Sequence, residues 1–167
     1  MESAIIKDIS KDYIEAVGLY EESIKTGSAS LEMYTNLAFL YWEFAAEQMS
    51  FNIPNNIPGE WSLIGGNRYG EIIEQGLKKY PNSLELKFWK KYLPYRLFGK
   101  EFTQQECEQL VLDYKKDNNL VPYFYLYLFC RKKYKAERDK LFKLCENIRT
   151  AKFIYIKSLI ARERDFF

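Results

Sequence analysis

Apolar residues in this chain recur every three or four positions, and that period constrains its fold more than any other feature. Ile14, Val17, Tyr20 and Ile24 fall on one face of a helix, and Gly27 follows as a stop. Ser30 can cap a second helix that repeats Tyr34, Leu37, Ala38, Tyr41 and Ala45 on one side. The same spacing returns in Tyr69, Ile72, Ile73, Gly76, Leu77 and Tyr80, closed by Pro81, and in Leu86, Phe88, Trp89, Tyr92 and Leu93 after a cap within Asn82 to Glu85. Pro94 should kink or end that helix.

Thr103-Gln104-Gln105-Glu106 has the form of a capping box ahead of Cys107, Leu110, Val111 and Tyr114. Leu120 to Cys130 is apolar on every face, which with Pro122 in the first turn fits a central, surrounded helix, although its aromatics also favour a strand. Two further helices follow on Leu141, Leu144, Cys145 and Ile148, then on Phe153, Ile156 and Ile160, with Thr150 as the cap between them. The expectation is an all-α fold of about eight antiparallel helices in one domain spanning residues 1–167.

One segment interrupts the pattern. Residues 51–67 contain Pro54, Pro58, Gly59, Gly65 and Gly66, which favour turns, yet also Phe51, Ile53, Ile57, Trp61, Leu63 and Ile64. That much apolar surface predicts an ordered loop folded onto the helices, and loops of this length are often functional.

Composition narrows the chemistry. None of the 167 residues is histidine, which excludes Ser-His-Asp and Cys-His pairs and His-ligated metals. Cys107, Cys130 and Cys145 are odd in number and widely spaced, and read as small core residues of a reducing compartment. No phosphate-loop motif is present, and paired acids such as Glu21/Glu22 and Glu71/Glu74 read as exposed helix charges. The chain is therefore expected to be no enzyme and to need no cofactor and no metal.

The start has no basic flank leading into an apolar stretch, and the apolar runs are too short to span a bilayer, so a cytoplasmic protein with no membrane contact is expected. The net charge of +2 is unevenly spread. Residues 1–60 carry three Lys against ten Asp and Glu, net −7, and residues 61–167 carry the balance of +9. Such polarity orients a charged partner.

The segment from Asp12 to Trp42 resembles a tetratricopeptide repeat, a helix-turn-helix unit of about 34 residues that stacks into a solenoid. Ala16, Tyr20 and Ser23 match the second helix of one unit, and Tyr34, Leu37, Ala38 and Tyr41 the first helix of the next. Tyr69, Ile73, Gly76 and Pro81 fit a further second helix, after which few signature residues recur. The resemblance implies a TPR-like α-solenoid whose first helices line a concave groove for a peptide or folded partner. It carries no catalysis.

On that register Glu32, Thr35, Asn36, Phe39, Trp42 and Glu43 face the groove. Phe39 and Trp42 either anchor an interface or pack under the 51–67 loop, which contributes Trp61 to the same surface. A second candidate is Tyr92 and Arg96. A third is the basic cluster around Arg131 and Lys132, beside an aromatic helix.

These features predict a non-enzymatic protein-binding module. A sharper form is a bacterial immunity protein that neutralises a toxin or charged effector by direct binding, since capping a target needs shape and charge but no chemistry. The alternative is a single-stranded RNA- or DNA-binding protein using the basic and aromatic residues of region 120–167.

Overall fold

The computed structural model describes residues 3–161; the remainder of region 120–167, positions 162–167, lies outside them. Among the described residues there are nine α-helices and no strand: α1 Ser3–Ile9, α2 Tyr13–Lys25, α3 Leu31–Ala46, α4 Glu60–Lys79, α5 Leu84–Phe98, α6 Gln104–Asp113, α7 Tyr123–Phe129, α8 Lys135–Asn147 and α9 Ala151–Ile160. A π-helical turn, Gln48–Asn52, follows α3. The expected all-α class is observed, with one more α-helix than expected because α1 precedes the first predicted one.

Helix starts follow local chemistry. The Ser30 hydroxyl accepts from Met33 N–H and Ser83 from Leu86 N–H. Thr103 Oγ1 accepts from Glu106 N–H, while its hydroxyl donates a hydrogen bond to the Glu106 carboxylate. Pro94 does not end α5, which runs one more turn to Phe98 and stops at Gly99 in the left-handed region (φ 69°).

The 51–67 segment is not one loop. Its first residues complete the π-helical turn, and from Glu60 onward it is the start of α4, with Gly65 and Gly66 inside the helix. The reason is contact: a Cβ on Gly65 would lie 2.1 Å from the Tyr41 carbonyl oxygen of α3. Gly65 is small to let two helix backbones touch, not to break one. Gly76 acts similarly, with a Leu86 methyl 3.0 Å from where its Cβ would be.

Inner and outer helices alternate along the chain. Helices α4, α6 and α8 each pack chiefly on their two sequence neighbours, whereas α3 meets α5 and α9, and α9 meets α7. Rings close the remaining gap between α5 and α7, with Tyr92 and Phe124 centroids 5.1 Å apart. Helices α3, α5, α7 and α9 thus form a closed set. Every residue of α3 from Met33 to Phe44 is buried.

The space enclosed is an aromatic core. Phe39 lies 5.4 Å from Trp89 and 5.1 Å from Tyr155 between ring centroids, and Trp42 lies 5.5 Å from Tyr155. The Trp42 indole N–H donates to Leu93 C=O at 3.1 Å, so this ring brings a satisfied polar edge into the core.

A buried polar network fastens α9 into place. Lys152 Nζ donates to Glu85 Oε1 at 2.7 Å and to Thr35 Oγ1 at 3.0 Å, with both charged side chains buried. Glu85 also accepts from the Trp89 indole and from Asn119 Nδ2. On the other side the N-terminus of α9 is capped from α1: Asp8 Oδ1 accepts Ala151 N–H at 2.8 Å, and Asp8 Oδ2 accepts the Tyr20 hydroxyl. Thr150 is the N-cap residue as expected, with the extended backbone of one, but its buried hydroxyl has no partner and the side-chain hydrogen bond at this helix start is made by Asp8, which accepts the first N–H.

Two substitutions in α4 separate contact from propensity. Gly65→Ala should lower the free energy of urea unfolding by about 2 kcal/mol or more, since backbone must move. Gly70→Ala, where nothing lies within 4 Å of the new Cβ, should raise it by roughly 0.5–1 kcal/mol. Lys152→Met should cost about 3–5 kcal/mol by leaving Glu85 buried without its counter-charge. Adding Glu85→Gln should recover part of that loss in a double-mutant cycle.

Candidate functional site

Glu43 occupies the last full turn of α3, where the helix leaves the aromatic core, and Glu47 follows one turn later as the C-cap. The π-helical turn then reverses the chain, held by Asn52 Nδ2 donating to Phe44 C=O at 2.7 Å. Phe51 on this turn packs on Tyr13 of α2 at 4.8 Å between centroids. The result is a cleft of about 380 Å³, walled by Lys11 and Tyr13, by Glu43 and Glu47, by Arg96 of α5, and by α9 around Tyr155.

The cleft wall carries two acids, Glu43 and Glu47, and two bases, Lys11 and Arg96, but Glu43 is paired with neither base. Glu43 is only 6% exposed and its Oε2 has no hydrogen-bond partner. Burial holds its carboxyl well above the usual range, and the neighbouring charges that act on it, Glu47 and Asp8, push it further the same way. The positive charge of Arg96 acts on Tyr155, Tyr92 and Glu47 instead. A protonated Glu43 can donate one hydrogen bond into the cleft, and an ionised one can receive a cation.

The structure separates the expected site residues. Thr35, Asn36, Phe39 and Trp42 are buried core residues, so they are not open to a partner. They point into the interior instead of onto an open surface: Thr35 bonds Lys152 of α9, and Asn36 Nδ2 donates to the Tyr20 hydroxyl of α2. The covering element is therefore α9 rather than residues 51–67. Tyr92 is likewise buried, with its hydroxyl 2.6 Å from that of Tyr155.

Glu43 and Arg96 are brought together as walls of one cleft. Trp61 packs half-buried on Phe44, and Glu32 is half-buried away from the cleft. Arg131 and Lys132 are exposed in the turn before α8. The rings of the neighbouring aromatic helix, Phe124, Tyr125 and Tyr127, are buried, and the Arg131 guanidinium lies over the Tyr127 ring at 5.7 Å.

Sequence reasoning missed three contributors. Tyr13 and Tyr155 reach the cleft from opposite ends of the chain, and Glu47 stands four residues after Glu43, a spacing that was available as a signal. Also missed is an apolar patch on the adjacent face, where Leu63 is 72% and Phe98 65% exposed around a depression of about 540 Å³ between the ends of α3 and α5 and the start of α4. Met49, 79% exposed, projects from the neighbouring π-helical turn.

Cys107 and Cys145 are buried, and burial pushes both thiols up to about 12, as expected of core residues. Among the described residues no group of three or more Cys, Asp or Glu side chains is placed to hold a metal ion, and no helix is long and apolar enough to cross a membrane. Comparison with protein-family models, with curated proteins and with solved structures finds no match to this chain.

The buried carboxyls fix a pH dependence. Burial raises Asp8 from 3.8 to about 6 against the hydrogen bonds from Ala151 and Tyr20, so the native state keeps a proton that the unfolded chain has lost. Stability from this residue is present below about pH 4 and is lost as pH rises through about 6, by roughly 2–3 kcal/mol. Glu43 contributes with the same sign. Urea unfolding of Asp8→Asn and the parent at pH 4 and pH 7 should show the gap moving in the variant's favour by about that amount.

Proposed function

We propose that this chain is a non-enzymatic protein-binding module with a TPR-like solenoid architecture, working in the cytoplasm. In its sharper form it is a bacterial immunity protein that neutralises a cognate toxin by direct binding. The observation that carries this reading is the exposed apolar pair Leu63 and Phe98 around one depression, with a charged cleft at the same end of α3. Exposed apolar anchors rimmed by charge are what protein interfaces use.

The alternation of inner and outer helices supports the solenoid reading, as does the fall of the Asp12 to Trp42 register on α2, a turn at Gly27 and α3. Closure of the groove moves the binding surface to the end of the molecule, where α3, α4 and α5 present their termini. The opposite charges of residues 1–60 and 61–167 supply orientation to a partner. Nucleic-acid binding has less support, since the rings next to Arg131 and Lys132 are buried and not free to stack on bases.

Affinity capture of the tagged protein from its own cells should recover one stoichiometric protein. Leu63→Asp with Phe98→Asp should abolish that recovery while changing stability by less than about 1 kcal/mol, because both side chains are exposed. Arg131→Ala with Lys132→Ala should leave it intact. Capture unchanged by the apolar pair, or recovery of heterogeneous RNA lost on nuclease treatment, would show the reading to be wrong.

A further inference from the structure

We infer that the cleft at the end of α3 is a binding pocket for a cationic nitrogen group on an aliphatic stem, the side chain of an arginine or lysine presented by the protein partner. This rests on the protein-binding reading given above and adds to it the chemistry of one contact. The geometry that points to it is a buried carboxyl with an unpartnered oxygen, Glu43 Oε2, at the wall of a cavity of about 380 Å³.

Among the described residues, the other carboxylates on fully buried side chains are engaged, and the one further unpartnered carboxylate oxygen, Glu137 Oε2, belongs to a half-buried side chain. Asp8 accepts from Ala151 N–H and the Tyr20 hydroxyl, and Glu85 accepts from Lys152, Trp89 and Asn119. Glu43 differs from Asp8 and Glu85 in combining an unpartnered oxygen with a place on a cleft wall. An unsatisfied buried polar atom costs stability, and its retention at a cleft wall is explained by a ligand that satisfies it.

The groups facing Glu43 select the sign of the ligand. Asp8 of α1 and Glu47 of its own helix are acidic, Tyr13 of α2 and Tyr155 of α9 are neutral phenols, and Lys11 and Arg96 stand at the cleft wall. The charges that act on Glu43 are both negative, and Arg96 acts on Glu47 and the phenols of Tyr155 and Tyr92, so a cation that pairs with Glu43 shares the cleft with Arg96 and Lys11 without displacing either from this carboxyl. The other wall is apolar, with Phe51, Ile154 and Leu159 placed to cover a methylene stem. A guanidinium or ammonium group displaces the Glu43 proton to solvent, so one proton leaves for each cation bound.

The test is isothermal titration of the full chain with N-acetyl-arginine N-methylamide, its neutral isostere N-acetyl-citrulline N-methylamide, and spermidine as a free amine. The arginine probe should bind at least tenfold tighter than the citrulline probe. Its affinity should rise about tenfold per pH unit while Glu43 remains protonated, the slope set by release of one proton. Glu43→Gln should lose both the binding and the slope. Glu47→Gln should weaken binding several-fold and keep the slope, which holds the proposal open to test should the first variant fail to fold.

Equal binding of the arginine and citrulline probes, affinity independent of pH, or binding retained in Glu43→Gln would overturn the pocket. Spermidine binding tenfold tighter than the arginine probe would overturn the partner's side chain as the source. The Leu63→Asp/Phe98→Asp variant should still bind the arginine probe. Loss of partner capture there with probe binding intact separates the fate of this pocket from that of the apolar patch.

Discussion

A lysine ammonium group buried in an aromatic interior holds this fold in its closed form. Lys152 can be dehydrated only if Glu85 and Thr35 stand around it, which requires α3, α5 and α9 to be assembled together. Asp8 completes the fastening from α1 by capping the first N–H of α9. An open repeat array is stabilised by contacts between successive units, and its ends fray independently. Here contacts spanning most of the chain couple the first helix to the last, so local loosening of α9 exposes charge and aromatic rings at once.

The helices were legible because burial of one face imposes a period that the sequence must carry. The start of α4 was not. Pro58, Gly59, Gly65 and Gly66 have the composition of a turn, and glycine placed for backbone proximity looks the same in sequence as glycine placed for a turn. Only Tyr41, which approaches Gly65 from another helix, distinguishes the two. Thr150 shows a related limit: it holds the N-cap position its type suits, yet the side-chain hydrogen bond at that helix start is made by Asp8, 143 positions from Ala151.

The candidate site was legible in part. Phe39 and Trp42 were read as facing a groove on the side of α3 away from its core face, yet both are buried, because a helical register cannot say whether a face looks onto water or onto another helix. That depended on α9 returning to α3. Glu43 was identified as a residue of this face. Its significance lies in lacking a partner, which depends on where Tyr13, Glu47, Arg96 and Tyr155 come to rest. The apolar patch escaped notice because Leu63 and Phe98 look like ordinary core residues until the ends of α4 and α5 are fixed.

The order of the helices, with α9 made after α3, α5 and α7, has a consequence for synthesis. A chain emerging from the ribosome makes α3, α5 and α7 before the helix that shields their rings. Until Lys152 and Tyr155 have cleared the exit, Phe39, Trp42, Trp89 and Phe124 line an open apolar trough. The nascent protein thus passes through a state that exposes rings buried in the finished one, and during that interval its need for chaperone protection is greatest.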